Sequence, residues 1–177
     1  MFRSFWFSIL SAILILAAGT ASLAEDLSKV YTNAEKGFSL RYPAKWEIKE
    51  TTGEKVLEVM SPLQASAANQ YRPTVTISIE TLSEPMSIAD YATNRFNQLH
   101  AQITDLKSLK TGRQVISHTN ARWWVITCKE NTFNLKGFLF IVMKGNRAFT
   151  ISALSTVEQY TVYKDVLADI GASLTIY

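Results

Sequence analysis

Cysteine, histidine, glycine and proline are all scarce in this sequence, which has one, two, seven and four of them in 177 residues. A single cysteine excludes an internal disulfide framework. So few glycines and prolines exclude a collagen-like or low-complexity chain. The fold must therefore depend on a hydrophobic core, and a chain with 47% hydrophobic residues can form one in a single domain.

A strong charge of either sign is also absent. The formal net charge is +3, and the chain that follows residue 24 keeps 17 of the 18 Lys and Arg against all 15 Asp and Glu, a net of +2. Such a balance gives no reason to expect nucleic acid or an anionic membrane as a partner. We therefore predict no nucleic-acid partner.

The only long hydrophobic run lies at the N-terminus. Arg3 is the sole charge before an apolar stretch of about 14 residues, which is shorter than the ~20 that cross a bilayer. Ser22 and Ala24 then stand three positions and one position before a plausible cut. Residues 1–24 are predicted to be a signal peptide cleaved between Ala24 and Glu25, with an uncleaved membrane anchor as the alternative. Export implies a secreted or periplasmic protein without a membrane span, or a lumenal one in a photosynthetic organism.

The rest of the chain changes between strand and helix periodicity. Residues 25–36 are polar and are predicted to be a flexible lead, and residues 37–177 the folded domain. Alternating or apolar segments predict strands in FSLRY, VLEVM, TVTISIE, RQVISHT, ARWWVITCKE, LKGFLFIVMK and RAFTISAL. Spacings of three and four predict helices in SIADYATNRFNQLHAQITDL and TVEQYTVYKDVLADIGASL. The order predicts an α+β fold, an antiparallel β-sheet covered by two main helices.

Turn and cap residues predict where these elements end. Ser87 is a suitable N-cap with Asp90 three residues on, whereas Thr156 or Ser155 is expected to cap the second helix and Gly171 to close it. Breaks at residues 120–121 and 145–146 predict hairpin turns. Residues 61–73, rich in small and amide residues between two prolines, are predicted to be a loop.

Several short segments occur in an order that resembles the PsbP-like family, which is named for an extrinsic subunit of photosystem II. The segments are YTNAEKGFSLRYPAKW, SPLQASAANQYRPTVTISIE, SIADYATNRF and RAFTISALSTVEQYTVYKDVLADIGASLTI, and the matching residues are Gly37, Phe38, Tyr42, Pro43, Trp46, Tyr160, Tyr163 and Ser173. The resemblance implies an α/β/α sandwich and an assembly or docking role. The basic N-terminal segment with which photosystem members dock is not matched, because Lys29 and Lys36 stand among three acids.

The aromatic residues have two possible uses. Phe38, Tyr42 and Trp46 are predicted to be core residues rather than a stacking platform, because alternation directs the first two to one side of a strand that also serves a core. Trp123 and Trp124 are adjacent, so a strand directs them to opposite faces. If one of them is exposed, it is a candidate partner-binding hot spot. The candidate partner-binding residues are Trp123 and, in the predicted loop, Tyr71 and Arg72.

Residues that would support catalysis or metal binding do not form a recognisable pattern. His100 and His118 lack a second ligand at metal-binding spacing. The sequence has no Gly-x-Ser-x-Gly motif and no phosphate-binding loop. Cys128 lies in an apolar strand and is predicted to be buried and unreactive. We therefore predict no catalytic, cofactor-binding or metal-binding residues.

Together these features predict an exported, non-catalytic accessory or binding module that docks on or stabilises another envelope or lumenal protein. Two alternatives stay open. One is a photosystem II assembly or accessory factor in the thylakoid lumen, and the other is a hydrolase whose site forms only in three dimensions.

Overall fold

The computed structural model describes residues 25–63 and 71–177. The predicted signal peptide and the middle of the predicted loop, residues 64–70, lie outside the described residues. Cleavage after Ala24 therefore stays a prediction. The described ends of the loop, residues 61–63 and 71–73, contain neither helix nor strand.

The described chain has five strands, a helix, four strands and a second helix, in the predicted order, and it ends with a short strand. The strands are β1 (Lys29–Asn33), β2 (Phe38–Tyr42), β3 (Glu47–Glu50), β4 (Lys55–Met60), β5 (Thr74–Thr81), β6 (Lys107–Ile116), β7 (Thr119–Glu130), β8 (Phe133–Lys144), β9 (Arg147–Thr156) and β10 (Thr175–Ile176). The helices are α1 (Ile88–Gln102) and α2 (Tyr160–Ala172).

The strands form two antiparallel sheets. The large sheet has the order β3-β4-β5-β9-β8-β7-β6, and the small sheet has the order β1-β2-β10. Helix α1 packs on one face of the large sheet, against β7 and β8, and α2 packs on the other face together with β2. The predicted α+β architecture, with helices on both faces, is confirmed. The separate small sheet was not predicted.

The main core lies between the large sheet and the layer formed by α2 and the small sheet. Phe38 of β2 meets Phe149 of β9 edge to face, with ring centroids 6.2 Å apart. Leu167 and Ile170 of α2 are fully buried in the same cluster. Trp46 is also buried there, whereas Tyr42 is partly buried against it, so the prediction that these aromatic residues serve the core is confirmed.

A smaller apolar layer lies between the large sheet and α1. Ser87 caps α1 by accepting a hydrogen bond from the Asp90 amide, as predicted. Phe96 of α1 stacks on Trp124 of β7 at 5.4 Å between ring centroids. Strand β8 lies between these layers, and its residues 139–143 are all buried. The prediction that this strand is covered on both faces is confirmed.

One predicted hairpin turn is at the wrong position. The β6–β7 turn is formed by Ser117 and His118, with φ of 52° and 59°, and not by residues 120–121, which belong to β7. Two successive residues with positive φ suit a tight primed turn, whose twist matches that of the paired strands. The turn at Gly145–Asn146 is confirmed, with Gly145 at φ 63°.

Three other predictions also need correction. The lead, residues 25–36, is not structureless, because β1 pairs with β2 over its whole length. Neither Thr156 nor Ser155 caps α2, which begins at Tyr160 with Gln159 as its N-cap and no side-chain cap hydrogen bond. The Thr156 hydroxyl instead accepts the Gln159 amide in the preceding turn at 3.2 Å. Gly171 does not close the helix. It lies within α2, where an added Cβ would stand 2.6 Å from the Phe140 ring.

No helix in residues 25–63 and 71–177 is both long and apolar enough to cross a membrane.

Candidate binding surfaces

The two adjacent tryptophans of β7 point to opposite faces of the large sheet, as predicted. Trp124 packs under α1, whereas Trp123 packs at the border of the main core on the α2 face. Both are partly buried. Because α2 lies over β8, β9 and β5, it leaves the part of the sheet near Trp123 less covered.

An open groove follows the border between α2 and this part of the sheet, and we call it the aromatic groove. Its volume is about 250 Å³, and its lining consists of Gln114, Trp123, Phe138, Phe140, Ala168, Asp169 and Ala172. The Phe138 and Phe140 rings stack at 5.9 Å. Three of the seven lining residues are aromatic, and aromatic side chains are enriched at protein contact surfaces.

Trp123 reaches from β7 across the neighbouring edge strand. Gly112 of β6 is its cross-strand partner, and an added Cβ on Gly112 would lie 2.5 Å from the indole ring. The indole therefore lies over Gly112, in space that any other residue would occupy. The Lys110 ammonium stands 5.7 Å from the centre of the same ring. One aromatic ring and one cation thus lie together at the border of the sheet.

Tyr71 and Arg72, the other predicted candidates, line a different groove on the α1 face. The groove has a volume of about 470 Å³ and is lined by Lys55, Glu58, Met60, Tyr71, Arg72, Thr74, Thr76, Glu130, Phe133, Ser152 and Leu154. The rings of Tyr71 and Phe133 lie 5.7 Å apart. Burial, with Glu130 nearby, raises the pKa of Tyr71, so its hydroxyl stays neutral.

Arg72 is held by hydrogen bonds to groups at the β3–β4 edge of the large sheet. Its Nε donates to the Ser61 carbonyl oxygen at 2.7 Å, and Nη1 donates to Glu47 at 3.0 Å. Nη2 is buried without a hydrogen-bond partner among the described residues. The structure therefore brings Tyr71 and Arg72 together but places Trp123 on the other face of the sheet.

The residues that could supply acid, base or nucleophile chemistry are separated. His100 is exposed on α1, and His118 is exposed in the β6–β7 turn. Cys128 is buried under α1, and its burial raises the pKa of the thiol to about 11. Within the described chain, no three His, Cys, Asp or Glu side chains are placed to hold a metal ion.

Sequence reasoning missed one part of the surface. Lys107 and Lys110 precede the predicted strand that begins at Arg113, but the structure places all three residues on the edge strand β6. A register shift between Ser108 and Lys110 explains the omission, because it interrupts the alternation that would have revealed a strand.

No protein-family model matches the chain, and a search of curated proteins found no match. Solved structures do match. The cyanobacterial PsbP, CyanoP, of Synechocystis sp. PCC 6803 has a TM-score of 0.65 and 10% identity over 90% of this chain and 99% of its own. LpqN of Mycobacterium tuberculosis has a TM-score of 0.64 and 11% identity, covering 84% of this chain and 89% of its own. Mog1p of Saccharomyces cerevisiae has a TM-score of 0.53 and 8% identity, covering 84% of this chain and 94% of its own. The chain thus has a PsbP-like fold.

Proposed function

We propose that the chain is an exported, non-catalytic binding module that docks on or stabilises another protein of the envelope, the periplasm or an equivalent lumen. Export is supported by the sequence of residues 1–24, with its single charge, its apolar stretch and the small residues before the cut. The proposal assigns the docking role to the folded domain.

The main support for a docking role is that Trp123, which is partly exposed, lines the aromatic groove. Tryptophan concentrates binding energy when it is desolvated at the centre of a contact. Trp123 already packs on the core, and Gly112 lies beneath its ring, so the ring is held before any partner arrives. A side chain that is ordered in advance loses less entropy on binding.

The structural neighbours include proteins with envelope or binding roles. LpqN is described as involved in cell envelope biogenesis, and Mog1p is described as a Ran-binding protein. These roles belong to those proteins. Low identity transfers the fold alone, so the proposal depends on the surface of this chain.

Affinity capture from the native exported protein fraction tests the proposal. The wild-type chain is expected to retain a specific protein, Trp123→Ala is expected to lose most of it, and Val162→Ala, on the exposed side of α2, is expected to keep it. Unfolding curves of both variants must show that they are folded at the capture temperature. The proposal fails if the wild type retains no specific protein, and turnover of a small substrate would then favour the hydrolase alternative.

A further inference from the structure

Besides the aromatic groove, the edge strand β6 provides a second surface to which a partner protein can bind. Within residues 25–63 and 71–177, β6 pairs with β7 on one side and has no strand on the other. Its register with β7 is regular from Lys110 to Ile116, after the irregularity at Ser108. An edge of this length presents backbone N–H and C=O groups to which an extended segment can pair.

The charges of this edge are unbalanced. Lys107, Lys110 and Arg113 are exposed, and β6 contains no acidic residue. Arg113 also stands directly opposite Arg122 of β7. Like charges at directly opposite positions destabilise a strand pair, and no ion pair found among the described residues involves either arginine. A carboxylate from a partner would relieve this repulsion.

Exposed apolar groups lie beside these cations. Leu109 adjoins Lys110 and is 56% exposed, and Val115, on the same face as Arg113, is 69% exposed. On the other face, the Trp123 ring lies over Gly112. An added strand would therefore meet apolar surface on both faces, with a cation beside each apolar contact.

We propose that β6 accepts an acidic extended segment of a partner protein as an eighth strand of the large sheet, over Lys110–Ile116. This inference depends on the proposed docking function and specifies its mode. Carboxylates of the segment face Lys110 on the α2 face and Arg113 on the α1 face. A second copy of this chain is disfavoured, because two β6 strands side by side would place like charges together.

A designed peptide tests this binding mode directly. The probe is Thr-Val-Thr-Glu-Val-Thr-Glu with blocked ends, which sets a glutamate opposite Lys110 and Arg113 when it runs antiparallel along the seven residues Lys110–Ile116. The control peptide carries lysine in place of both glutamates. Titration followed by chemical shifts is expected to show saturable binding of the acidic peptide, weakened by added salt, and at least about tenfold weaker binding of the control.

Matched charge reversals locate the site. Replacing Lys107, Lys110 and Arg113 by glutamate is expected to weaken binding of the acidic peptide at least about tenfold. Replacing three exposed lysines elsewhere, Lys29, Lys45 and Lys164, by glutamate changes the net charge equally and is expected to leave most of the affinity. Equal losses in the two triple variants, or no binding of the acidic peptide by the wild type, would overturn the inference.

The capture experiment separates this inference from the proposed function. If the wild type retains a partner and the β6 triple variant retains it equally, docking stands and the strand-addition mode is wrong. If the wild type retains no partner, docking itself fails. Concentration-dependent dimerisation through β6 would contradict the choice of an acidic partner segment.

Discussion

The two faces of the large sheet are built differently. The α2 face is packed with large, fully buried groups such as Phe149 and Ile151 and is closed by α2 and the small sheet. The α1 face has smaller clusters, and a cavity of about 120 Å³ lies under α1. Hydroxyl groups of Ser78, Thr150 and Ser152 line part of this cavity.

This difference indicates where stability is concentrated. Each Å² of apolar surface removed from water contributes about 25 cal/mol to stability. Voids reduce the number of van der Waals contacts, which add to this contribution. We therefore expect the α2 face to dominate the free energy of unfolding, and α1 to open more readily than α2. The proposed binding surface, which includes Trp123 and β6, therefore lies at the border of the better-packed face.

The largest expected effect is that of Phe149→Ala. Phe149 is fully buried at the centre of the α2 face and contacts Phe38, so its truncation leaves a cavity in a packed core. We expect a loss of about 3 to 5 kcal/mol in the free energy of unfolding. Val115→Ala, on the exposed edge, is the control and should change it by less than about 0.5 kcal/mol. Denaturant unfolding measures both, and a loss below about 1 kcal/mol for Phe149→Ala would show that this face is not the main core.

A leucine pair compares the two helices directly. Leu167 of α2 is fully buried, whereas Leu99 of α1 is partly exposed and lines the cavity under that helix. We expect Leu167→Ala to cost about 3 kcal/mol and Leu99→Ala about 1 kcal/mol. Equal losses in the same unfolding assay would remove the distinction between the faces.

The N-cap of α1 gives a smaller, local effect. The Ser87 hydroxyl accepts the Asp90 amide at 3.1 Å, so Ser87→Ala should destabilise by about 1 kcal/mol, and Ser87→Gly by only a few tenths. Amide exchange should accelerate within α1 and stay unchanged in α2. Equal acceleration in both helices would mean that they open as one unit.

A further expected effect is a pH dependence on the α1 face. Burial raises the pKa of Cys128 from 9.0 to about 11, so the folded protein keeps the thiol proton while the unfolded chain loses it above pH 9. Stability from this group is complete below pH 9 and falls as pH rises towards 11. Cys128→Ala should make the decline above pH 9 shallower, and unfolding curves at pH 8 and 10 measure it. The buried Tyr91, whose pKa is also raised, should preserve part of the decline in the variant.

The strength of the local pattern determined what the sequence could predict. Helix α1 has a cap and a long apolar stripe, and β8 contains the apolar run of residues 137–143, so both were predictable. Strand β1 was missed because its partner lies in the small sheet and most of its residues are exposed. A short polar edge strand has little periodicity before it is paired.

The candidate site was only partly predictable for a related reason. Trp123 could be identified because adjacent residues on a strand must face opposite ways. Its contact with Gly112, and the position of Arg113 opposite Arg122, depend on the β6–β7 register. That register follows from the turn at Ser117–His118 and the irregularity at Ser108, neither of which leaves a clear pattern in the sequence.

The most direct test of the central claim compares the two edges of the large sheet, β6 and β3. Residue-resolved amide exchange is measured on the free protein and on the protein saturated with the acidic peptide. We predict added protection at alternate amides of Lys110–Ile116 and none in Glu47–Glu50. Added protection in β3 or α1, or no added protection in β6, would contradict it.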